Sequence, residues 1–185
     1  PNNQFGEFND ALFSGLDSQE RLPDLPGDPH VPAARAVPPA IGDRALSSDA
    51  ERVASLGATI IGALQSEGVA ACGKHFPGHG DVSVDSHLDL PVINKTRTQL
   101  ESLELYPFRQ IFNAGVGSVM VAHLYIPSID STTNKATSLS KNNVTDLLRN
   151  DLGYQGLTFT DALGMQGVNK FFPDGAASVE SLIAG

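Results

Sequence analysis

The sequence predicts an α/β fold of the (β/α)8 TIM-barrel type, of which these 185 residues make up a C-terminal portion behind an irregular N-terminal segment. Three observations lead there. From about residue 41 onward, stretches of helical periodicity alternate with short runs that read as buried, apolar strands, the signature of a parallel sheet covered by helices. Chemically capable side chains follow these runs directly: Lys74 and His75 after the first, His123 after the second, Asp161 after the third. Parallel-sheet enzymes collect their reactive groups at such carboxyl ends. Finally, no Gly-rich dinucleotide turn follows any strand, which favours a barrel over a doubly wound sheet. Only three strands are clear where about eight close a barrel, so the barrel is partial and flanking parts of it would be its missing partners.

Residues 1–40 are rich in proline ("RLPDLPGDPHVPAARAVPPA") and show no period of 2 or 3.6, so they are read as irregular. Ser48 and Glu51 fit a capping box that opens a helix, with Val53, Leu56, Ile60, Ile61 and Leu64 at helical spacing and Gly68 as its stop. "VAAC" then reads as a buried strand, and a polar loop runs from Gly73 to about Thr96. A helix over "TQLESLELYPFRQIFNAG" leads into the strand "SVMVA". A further helix over "SKNNVTDLLRNDLG" leads into "GLTFT", and "ASVESLIAG" begins another helix. The domains are therefore 1–40, irregular and without an assigned origin, and 41–185, the barrel portion.

Bulk composition excludes several classes of function. A net charge of −9 argues against a nucleic-acid surface, which needs clustered Lys and Arg. No apolar run approaches the roughly 20 residues of a membrane span. The chain begins with Pro1, so compartment is not read from this end. The single cysteine, Cys72, lies in an apolar run and reads as a small buried hydrophobe. Phe76 and Tyr106 read as packing residues. "NKT" at Asn94 and "NVT" at Asn143 match glycosylation acceptors but read as polar turns.

The chemistry concentrates in "KHFPGHGDVSVDSH", Lys74 to His87, which holds three of the five histidines. Asp85 and His87, one residue apart, fall on the same side of an extended backbone. The carboxylate can then fix the imidazole tautomer and tune the ring as a proton donor and acceptor near neutral pH. Asp161 follows a buried strand, a position that suits a helix cap or a catalytic carboxylate equally well. An ionised carboxylate with a proton donor suits glycosidic hydrolysis with retention. Lys74 and His75 suit sugar hydroxyls.

"KHFPGHG" followed by "DSH", and later "FTDALGM", resembles the family 3 glycoside hydrolases, and most of all their bacterial β-N-acetylglucosaminidase branch. "IGDRALSSD", "MVAHLYIPSID" and "TSLSKNNVTDLLRNDLGYQGLTFTDAL" also resemble family segments. "KFFPDG" is similar to Bacteroidetes members. The resemblance implies Asp161 as the nucleophile, and His87 as general acid/base with Asp85 as its dyad partner. It further implies that Lys74, His75 and Arg44 hold the sugar, with His123 on the sugar-facing rim and His79 as a loop-shaping residue. The implied substrate is a terminal β-linked N-acetylglucosaminide, with no cofactor and no metal, in a bacterial cytoplasm or periplasm. Two alternatives stand beside it. One is a non-catalytic barrel fragment that at most binds sugar. The other is a metal-dependent hydrolase using His75, His79, Asp81, Asp85 and His87. Pro77 and the neighbouring glycines oppose the helix that a His-x-x-x-His metal pair needs.

Overall fold

The computed structural model describes residues 46–79, 82, 88–173 and 175–185. All of them fall in the second of the two units into which the chain divides, Val37–Gly185. Helix α1 (Ala50–Ser66) leads to strand β1 (Cys72–Phe76); helices α2 (Arg97–Ser102) and α3 (Leu105–Asn113) lead to β2 (Ser118–Val121). A 3-10 turn (Thr137–Leu139) and a helix wound with wide π turns (Asn142–Asp151) precede β3 (Leu157–Thr160). Helices α4 (Gln166–Asn169) and α5 (Ala176–Ala184) follow. The strands form one parallel sheet in the order β1-β2-β3. This is the helix–parallel strand alternation expected.

Several elements differ in detail from the expectation. Asp49, not Ser48, caps α1, its carboxylate accepting from the Arg52 amide at 2.8 Å. The capping box lies instead at the start of α2, where Thr96 and Gln99 satisfy each other's backbone amides. The helix expected over 98–115 is broken between Ser102 and Leu105, and Glu104 stands at the cap of the second piece. The first strand is not "VAAC" but Cys72–Phe76, since Cys72 and Gly73 pair with Ser118 and Val119 of β2. Val69 and Ala70 are exposed before it. Asn143 is no polar turn: it is fully buried and its amide donates to the Thr137 carbonyl at 3.1 Å.

The two faces of the sheet are chemically distinct. Val119 and Val121 pack with Phe76, Leu105, Phe108, Ile111, Leu147 and Leu148 into the main core beneath the helices. Gly73 points the same way; a Cβ there would lie 2.4 Å from Ile111 Cδ1, so only glycine lets α3 come this close. Side chains alternate along strands, which puts Cys72, Lys74, Ser118, Met120, Leu157, Phe159 and Asp161 on the opposite face. There Leu157 is 64% exposed and Phe159 49%. An apolar surface of this kind on a parallel sheet is what a barrel interior fills with layered side chains.

Candidate active site

Asp161 extends β3 by one residue, its amide donating to the Val121 carbonyl at 2.9 Å. The carboxylate is then divided between two tasks. Oδ1 accepts the Ala162 amide at 2.8 Å, and Oδ2 lies 3.8 Å from Nε2 of His75. Both side chains are largely but not wholly buried, His75 at 14% and Asp161 at 20% exposure. One oxygen is held by the backbone and the other lies beside an imidazole, in a side chain that stays partly exposed. That is the disposition of an anionic oxygen able to attack or to stabilise positive charge.

His75 arrives from the carboxyl end of β1 through a tight local path. The Lys74–His75 and Phe76–Pro77 peptide bonds are both cis, and the Gly78 amide closes back on the His75 carbonyl at 2.9 Å. His79 stands edge-on to His75, the ring centroids 5.7 Å apart, and is itself buried. Gly78 sits against Glu104, whose buried carboxylate pairs with Lys95. The loop is thus built on the start of α3. Cys72 is half-buried rather than buried, and burial pushes its thiol above its ordinary value, the opposite of an activated nucleophile.

His123, which the resemblance puts on a sugar-facing rim, is wholly buried. It is 0% exposed and both ring nitrogens are taken: Nδ1 is 2.7 Å from Ser138 Oγ and Nε2 is 3.0 Å from the Ala162 carbonyl. Nothing in the local sequence marks this role, because its partners lie 15 and 39 residues away. Arg44, Asp85 and His87 lie outside the described residues, as does Asp81. Among the described residues, no group of three His, Cys, Asp or Glu side chains comes together as a metal site.

Burial lowers the His123 pKa below its ordinary value, against smaller upward contributions from the Ala162 carbonyl and Asp161. In the unfolded chain the same ring takes up its proton near pH 6.5. Between those two pKa values the unfolded state binds more protons, so stability falls as pH drops below about 6.5 and levels off beneath the folded-state pKa. Urea unfolding across this range should show that slope, and His123→Gln should flatten it by up to one proton.

Residues 28–185 match the family model for the glycosyl hydrolase family 3 N terminal domain. The chain belongs to glycosyl hydrolase family 3. Beta-hexosaminidase A of Pseudoalteromonas piscicida is 38% identical over 157 residues, which cover 80% of this chain and 26% of that relative. Among solved structures, a family 3 β-N-acetylglucosaminidase from Paenibacillus sp. str. FPU-7 superposes with a TM-score of 0.78 at 42% identity, over 80% of this chain and 28% of that one. Zinc-bound CbsA from Thermotoga neapolitana superposes at 0.74 with 36% identity, over 78% and 31%. This family 3 chain therefore spans between a quarter and a third of the length of these relatives.

Proposed function

We infer that this family 3 chain carries the catalytic side of a retaining β-N-acetylglucosaminidase, releasing terminal β-linked N-acetylglucosamine. The observation that carries the reading is the divided Asp161 carboxylate at the end of β3, with Oδ1 held by Ala162 and Oδ2 toward His75. In the first step Asp161 Oδ2 bonds to the anomeric carbon while His87, oriented by Asp85, protonates the departing glycosidic oxygen. In the second step His87 takes a proton from water, whose oxygen bonds to the anomeric carbon, and the Asp161 carboxylate leaves. Lys74, His75 and Arg44 donate hydrogen bonds to the sugar hydroxyls. The names of the relatives, a hexosaminidase and a β-N-acetylglucosaminidase, support the choice of sugar.

The three strands are a portion of a (β/α)8 barrel in this reading. Exposed Leu157 and Phe159 support it, because they lie on the face that a closed barrel packs internally. Flanking parts of the same barrel would complete that layer.

The test is hydrolysis of an aryl β-N-acetylglucosaminide by this chain, followed by NMR of the released sugar. The β anomer should appear first, as retention requires. His87→Ala should slow turnover by about 10²- to 10⁴-fold, the usual contribution of a general acid/base. The loss should shrink as the aryl leaving group becomes more acidic. Undiminished activity in His87→Ala would sink the assignment.

A second reading, metal-dependent hydrolysis, draws on the zinc-bound relative. Exhaustive chelation in the same assay separates the two: activity should survive it if Asp161 and His87 do the chemistry, and disappear if a metal-bound water does.

A further inference from the structure

The carboxyl end of β2 carries a dense buried polar network that the proposed reaction does not use. Thr137, Ser138, Ser140 and Asn143 are all buried, although each bears a polar side chain. Buried polar groups persist where hydrogen bonds hold them, and such a network specifies one arrangement. Every side chain of this one makes at least one such bond, although Asn143 Oδ1 makes none. Here the network brackets His123. Thr137 Oγ1 donates to the Ala122 carbonyl at 2.7 Å and accepts the Leu124 amide at 3.2 Å, one residue to either side of the histidine. The Thr137 amide returns to the Leu124 carbonyl at 2.7 Å, and the Asn143 amide group holds the Thr137 carbonyl. Ser138 is thereby presented to the ring from a clamped turn.

The ring's two contacts define its protonation. A carbonyl oxygen only accepts, so the hydrogen bond to Ala162 requires a proton on Nε2. In the neutral ring Nδ1 is then bare and accepts the Ser138 hydroxyl proton. At the far end, Ala162 is gripped from both sides. Its carbonyl accepts from His123 and its amide donates to Asp161 Oδ1. We propose that Ser138 and His123 form a buried relay that fixes Ala162 and, through its amide, the aim of the Asp161 carboxylate. Both are positioning residues; neither touches substrate. The relay itself is a matter of geometry, whereas its effect on turnover rests on the reading of Asp161 as nucleophile.

The chain as it stands tests this in three measurements. First, histidine ring ¹⁵N NMR near neutral pH should show His123 protonated at Nε2 alone. A mixture of tautomers, or an Nδ1-protonated ring, would overturn the relay with no reference to catalysis. Second, Ser138→Ala should speed hydrogen exchange of the Ala162 amide about tenfold, as loss of one supporting hydrogen bond implies, while the Val119 amide in the core of β2 stays unchanged. Equal acceleration at both amides would mean that Ser138 only stabilises the fold, and would also overturn the proposal. Third, Ser138→Ala should lower kcat on the aryl β-N-acetylglucosaminide about tenfold with little change in KM. Unchanged kcat beside an accelerated Ala162 amide would refute the positioning role and leave the relay as architecture. Absence of hydrolysis by the unmodified chain would instead count against the proposed function, since the first two measurements do not depend on turnover. Should Ser138→Ala fail to fold, the tautomer measured on the unmodified chain still decides the relay.

Discussion

Asp161→Ala should abolish turnover of an aryl β-N-acetylglucosaminide, lowering kcat by at least about 10⁴-fold, the scale on which removal of a catalytic nucleophile is felt. The variant should fold, because the contacts that the carboxylate makes are local. Oδ1 accepts the adjacent Ala162 amide, the backbone amide of residue 161 keeps its bond to Val121, and Oδ2 faces His75 across 3.8 Å. Truncation leaves a small space where the carboxylate stood, on the side of the sugar from which it would attack. Azide added to the assay should occupy that space and bond to the anomeric carbon as the aryl oxide departs. The product should be an α-glycosyl azide, inverted relative to the substrate. NMR identifies it directly. Recovery of rate with a β-configured product, or no loss on substitution, would remove Asp161 from the nucleophile's place. A carboxylate that merely capped the next turn would also tolerate Asn, whereas a nucleophile would not, so Asp161→Asn separates the two readings left open by the sequence.

How much of this arrangement is legible in the sequence depends on the kind of signal. Strand β2 stands out because "SVMVA" is almost entirely apolar and fully buried, and β3 because β-branched and aromatic residues fill "GLTFT". Yet β3 is not the buried strand it reads as: Leu157 and Phe159 are exposed. Strand β1 does not stand out. "CGKHF" contains a glycine, a lysine and a histidine, and it is a strand because β2 offers it a ladder; the more apolar "VAAC" begins in solvent. Tertiary pairing overrides local pattern there. The meeting of His75 with Asp161 follows from topology, since parallel strands deliver their carboxyl ends to one rim. Its tight cis-peptide path does not follow from composition. His123 illustrates the opposite limit. Its place after β2 is legible, but its direction is not. A histidine at a strand end looks the same in sequence whether it faces a ligand or a buried serine, and only the contacts with Ser138 and Ala162 distinguish them.

Gly78→Ala should destabilise the folded unit by about 3 kcal/mol or more, because backbone strain and overpacking add at one position. Two costs combine. Gly78 has φ at +135°, a conformation that essentially only glycine adopts without strain. A Cβ there would also lie 2.6 Å from Glu104 Cβ and 2.7 Å from Cγ, with the Glu104 backbone 3.4 Å away. These are not the free ends of a flexible side chain. Glu104 stands at the cap of α3 and its buried carboxylate is paired with Lys95, so retreat would disturb both the helix start and a buried charge. At Gly164, by contrast, a Cβ would meet no heavy atom within 4 Å and φ is not positive, so Gly164→Ala is the matched control and should be near neutral. Urea unfolding of the two variants checks the difference. The same substitution bears on the site, because Gly78 closes the turn on the His75 carbonyl. If the backbone yields rather than unfolds, His75 must shift relative to Asp161, and Gly78→Ala should then lose turnover in excess of its lost stability. A variant as stable and as active as the parent would show that the close approach of this loop to α3 is not what sets the rim.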